Sequence, residues 1–88
     1  MNGVNIIATV SAALKFKKQQ PLAQREEILG HINQLVRQEH DERIKLSMLV
    51  ATNRALDFLD KHPDLNDKAA LQHVMANLTD ILKNVSRE

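Results

Sequence analysis

The 88-residue chain has room for one domain and one core, and at this size a core leaves only a few kcal/mol of stability, so staples or partners commonly assist it. It contains no cysteine, which excludes disulfides, thiolate metal sites and redox motifs and fits a reducing cytosol. A formal charge of +1 and a pI near 8.1 produce no strong global field, so neither nucleic acid nor a membrane surface is demanded as a partner.

With 43% hydrophobic and 26% charged residues the chain is too apolar for intrinsic disorder. Its only aromatic residues are two phenylalanines, so the core must be built from Leu, Ile, Val, Met and Ala, which suits helix packing better than a sheet. The opening stretch, MNGVNIIATVSAALKFKK, joins an apolar run to small residues in the manner of a secretion signal. It lacks a basic start, Asn5, Thr9 and Ser11 interrupt the run, and the apolar span is far shorter than a membrane helix. The stretch reads as a buried first helix of a cytoplasmic protein with no membrane partner.

The first predicted helix covers about residues 5–19, with Asn2 or Asn5 available as an N-cap. Ile6, Ile7, Val10, Ala13 and Leu14 form its stripe, and Lys15, Lys17 and Lys18 complement the helix dipole in its last turns. Phe16 falls off that stripe and must pack on the following turn or on a second surface. The second predicted helix, about 21–38, starts at Pro21 and carries Glu26 and Glu27 near its positive end. Its stripe is Ile28, Leu29, Ile32, Leu35 and Val36. Gly30 inside it costs up to about 1 kcal/mol relative to Ala, a cost that close approach of a neighbouring backbone would offset.

The connection RQEHDER is wholly polar, which ends the second stripe, and Asp41 is placed to cap a third helix over about 41–61. No Gly or Pro enforces that break, so one helix from Pro21 to Lys61 is the competing reading. Pro63 ends the third helix, and Asp64 or Asn66 caps a fourth over about 66–86, with Asp67 in its first turn. Leu71, Val74, Met75, Leu78, Ile81, Leu82 and Val85 form the cleanest stripe of the chain, with His73, Asn77, Asp80 and Asn84 on the opposite side. The pattern contains no strand, internal repeat or low-complexity tract. The expected fold is all-α, a small antiparallel four-helix bundle in a single domain over residues 1–88, with the third helix central.

The third helix is unusual in being apolar on two sides. At about 100° per residue, Ile44, Met48, Ala51, Ala55, Phe58 and Leu59 share one face, while Leu46, Leu49, Val50 and Leu56 lie roughly opposite. An ordinary surface helix needs one stripe. Asn53 sits in the middle of the second seam, where a polar residue can fix register and partner number in a helical interface. Leu46, Leu49, Val50, Asn53 and Leu56 are therefore the candidate interface of a homodimer. The competing reading has Asn53 bonded to a backbone group within a monomeric core, with the first and fourth helices flanking the third on both sides.

Chemistry finds less support. Glu27 and His31 share a helix edge four residues apart, but the chain has neither H-E-x-x-H nor Glu-x-x-His, and no closed ligand set can be assembled. His40 and His62 fall at expected helix ends, where carbonyl capping accounts for them. Glu39, Asp41 and Glu42 alternate with Arg37 and Arg43 as a solvated, compensated connection. Ser11, Ser47 and Ser86 have no neighbouring base, and two glycines cannot make a phosphate loop. No catalytic, metal or cofactor residue is nominated. The expected function is non-catalytic, a homodimeric interaction or adaptor module with a protein partner. The alternative is a nucleic-acid-binding regulator using Lys15, Lys17, Lys18 and Arg25, although these cations have no aromatic platform and no helix-turn-helix pattern beside them.

Overall fold

A computed structural model describes the backbone of residues 3–86 and the side chains of residues 4–83. Among the described residues it has five helices and no strand: α1 (Gly3–Gln19), α2 (Arg25–Gln38), α3 (Glu42–Lys61), α4 (Asp67–Ala76) and α5 (Leu78–Ser86). Asn2 as a cap, and Asn84 and Val85 as members of a helix face, lie outside what is described.

Local chemistry explains each boundary. The first turn after α1 is closed by the Ala23 amide on the Gln20 carbonyl, and Pro21 lies within that turn. The second helix therefore starts one turn later than a proline at its first position would put it, with the Glu27 carboxylate accepting from the Gln24 amide at 3.4 Å. Asn5 is inside α1 and caps nothing. Its amide instead donates to Glu39 Oε1 at 2.7 Å, while Glu39 Oε2 accepts from the Asp41 amide at 3.0 Å. These two donors, the Asp41 amide foremost, hold the Glu39 carboxyl below the ordinary glutamate value. Asp41 Oδ1 then accepts from the Arg43 amide at 2.9 Å and caps α3. The chain at residues 39–41 is extended rather than helical, which rules out a single helix from Pro21 to Lys61.

Asn66 caps α4 by accepting from the Ala69 amide at 3.0 Å. The stretch expected as one fourth helix is divided at Asn77, whose side-chain amide donates to the His73 carbonyl at 2.7 Å. The same carbonyl also accepts the Asn77 backbone amide at 3.2 Å, the last ladder bond of α4. Of the expected stripe, Val74 and Ile81 are fully buried and Leu71, Leu78 and Leu82 half-buried, but Met75 is 58% exposed. His73, expected on the outer side, is half-buried instead.

α3 packs against each of the other four helices. The core is built from Ile6, Val10 and Leu14 of α1, Ile28, Ile32 and Val36 of α2, and Val74 and Ile81 of α4 and α5, set around the inner side of α3. Small residues on that side, Ser47, Ala51, Thr52 and Ala55, are all buried and leave room for close neighbours. The buried hydroxyls of Thr9, Ser47 and Thr52 each donate to the carbonyl four residues earlier at 2.8 Å, so none requires a partner across the core. The Cα radius of gyration of 12.2 Å matches the value of about 12 Å for a compact chain of this length. Gly30 is exposed, and a Cβ built there meets nothing within 4 Å, so no backbone approaches it as the sequence led us to expect.

Candidate functional site

The candidate interface on α3 divides into two parts. Ile44, Ser47, Met48, Ala51, Thr52, Ala55, Leu56 and Leu59 are buried, an arc of about half the helix circumference. Leu56, expected on the second seam, is only 2% exposed and belongs to this inner arc. The neighbours on α3 cover a broader arc than the apolar spacing alone implied. On the remaining side Leu46 is 45% exposed, and Leu49, Val50 and Asn53 are half-buried. Leu49 and Val50 rest against the edge of the core. The Asn53 side chain makes no hydrogen bond to another described residue, so its amide is not consumed by a helix carbonyl. The outer side of α3 thus presents an apolar strip with one unengaged amide at its C-terminal end.

The four cations of the basic corner also separate. Arg25, at the start of α2, extends both guanidinium arms to α3, with Nη1 2.7 Å from Asp57 Oδ1 and Nη2 2.9 Å from Asp60 Oδ2. Lys17 of α1 reaches Asp60 at 3.9 Å. Lys15 and Lys18 are exposed and form no ion pair among the described residues. Two of the four cations are therefore compensated by carboxylates that sequence reasoning left out. Asp57 and Asp60 stand three apart on one exposed edge of α3, a spacing visible in the sequence. Their opposition to Arg25 arises only once α2 lies beside α3.

Three of the four histidines are engaged by the phenylalanines. Phe16 stacks on His31 at 4.4 Å between ring centroids, joining α1 to α2, and this is the packing that its position off the first stripe required. Phe58 stacks on His73 at 4.4 Å and meets His62 at 4.9 Å, joining α3 to α4. The Glu27 and His31 edge is thus part of a helix contact. Among the described residues no group of three or more His, Asp or Glu side chains is placed to hold a metal ion. No helix is long and apolar enough to cross a membrane, again among the described residues.

Fold and surfaces together define a small all-α domain of five helices among the described residues, with an apolar strip on its central helix. No family model, curated protein or solved structure matches the chain.

Proposed function

We propose that this protein is a cytoplasmic, non-catalytic interaction module that self-associates through the outer strip of α3, and that its helices form an up-down bundle in which α4 and α5 together supply the fourth arm. The observation that carries this reading is the outer apolar strip of Leu46, Leu49 and Val50, with the Asn53 side chain, unbonded within the chain, at its C-terminal end. An amide in an apolar seam favours one register and one partner number, because any other alignment buries it without a hydrogen bond. Two α3 strips meeting face to face would pair the amides and cover Leu46. The dimer is in turn the unit that engages a protein partner.

Sedimentation equilibrium across a concentration series tests the reading, with a Leu46→Glu variant beside the natural chain. Leu46 is exposed, so the substitution leaves the core intact and changes stability by no more than about 0.5 kcal/mol. The natural chain should dimerise and the variant should remain monomeric. A natural chain that is monomeric throughout, or a dimer indifferent to the substitution, overturns the assignment. The nucleic-acid reading rests on Lys15 and Lys18 and is the weaker of the two, because Asp57 and Asp60 are 56% and 62% exposed beside the same corner and would repel phosphate.

A further inference from the structure

A second surface lies at the far end of α3, where the last turns of α1 and α3 meet the start of α4. Leu14 and Leu59 line an open groove of about 710 Å³ there. Both are almost fully buried, and Leu65, 40% exposed, adds a third apolar side chain to the lining. Pro21 and Pro63, from the connections that follow α1 and α3, contribute rings whose fixed φ keeps those walls rigid. Leu46 and Leu59 are about 20 Å apart along α3, so the groove and the outer strip are separate surfaces.

The charges around the groove are unequal. Lys17, Lys18 and Lys68 line it against Asp60 and Asp67. Asp60 is already held by Arg25 and Lys17. Lys18 and Lys68 are exposed and form no ion pair among the described residues, which leaves them an excess of positive charge over Asp67 beside an apolar lining.

We infer that this groove binds an acidic amphipathic peptide segment of another protein, its apolar side chains against Leu65 and the Pro21 and Pro63 rings and its carboxylates at Lys18 and Lys68. Leu65 and the two proline rings supply the apolar contact, and the two ammonium groups select acidic over basic segments and speed encounter. A nucleic acid fits the same place poorly. The lining offers no aromatic ring for a base to stack on.

Selection of short random peptides displayed on phage tests the inference, with the natural chain as target and a Lys18→Glu/Lys68→Glu variant for counter-selection. Both lysines are exposed, so the variant should keep its helical circular dichroism. Enriched sequences should combine Asp or Glu with Leu, Ile or Phe. A synthetic copy of the most enriched one should shift the amide resonances of Leu14, Lys18, Leu65 and Lys68, bind the variant at least about tenfold more weakly, and lose affinity as salt is raised. Leu65→Ser should weaken it as well, while Leu46→Glu, which probes the other surface, should leave it unchanged. Enriched peptides without acidic residues, an affinity unaffected by the charge reversal, or shifts confined to other parts of the chain would each overturn the inference. So would an oligonucleotide that displaces the peptide and binds more tightly, an outcome that would return the basic corner to nucleic acid.

Discussion

Glu39 shows how a single side chain can secure a connection that has neither glycine nor proline. One carboxylate oxygen takes the Asn5 amide of α1, and the other takes the Asp41 backbone amide, so the extended link between α2 and α3 is fastened at both ends. Hydrogen bonds to the charged form lower its pKa, with the Asp41 amide as the larger cause and Asn5 as the second. A carboxyl depressed in the folded chain contributes stability that is complete above the unfolded glutamate pKa and is lost as pH falls through the folded value. Glu39→Gln should therefore destabilise the chain at neutral pH, and the difference from the natural protein should shrink in acid. Urea unfolding at a series of pH values measures that difference, and a carboxyl NMR titration locates the folded midpoint. A midpoint equal to that of an unstructured glutamate would mean that neither bond persists in solution.

Gly30 makes the corresponding point for a whole helix. Within α2 it is exposed, and the space a Cβ would occupy is open to 4 Å. Gly30→Ala should stabilise the chain by about 0.5–1 kcal/mol, by restricting the unfolded chain and raising helix propensity. Chemical denaturation at low protein concentration checks this; destabilisation there would mean that the site is crowded in solution. The elements that the sequence revealed are those with local causes. Asp41 and Asn66 cap helices because an oxygen at that position reaches an amide two or three residues on, and Pro63 ends α3 for an equally local reason. The division at Asn77 was not legible, because Asn is tolerated in a helix and its side-chain bond to the His73 carbonyl forms only in the folded turn. Pro21 misled in the opposite direction: a residue suited to a helix start serves here in the turn before it.

For the whole molecule, the decisive quantity is how much of α3 its neighbours cover. Periodicity identified Leu46, Leu49, Val50 and Leu56 as a second apolar side, but only packing determines that Leu56 turns into the core and Leu46 stays outside. The Arg25 fork on Asp57 and Asp60 was hidden for the same reason, since its partners are more than thirty positions apart in the chain. The apolar strip that remains ends at Asn53, and the role of that amide can be separated from the role of the leucines. Asn53→Leu extends the apolar strip and removes the group that would penalise misaligned pairing. Self-association should then begin at lower concentration than in the natural chain, and species larger than the dimer should appear in sedimentation velocity, since no polar group now sets partner number. Adding Leu46→Glu to the same chain should reverse both effects, because a charge in the strip opposes every register alike. If instead Asn53→Leu sediments as the natural chain does, that amide sets neither register nor partner number, and the assignment of the strip rests on the effect of Leu46→Glu alone.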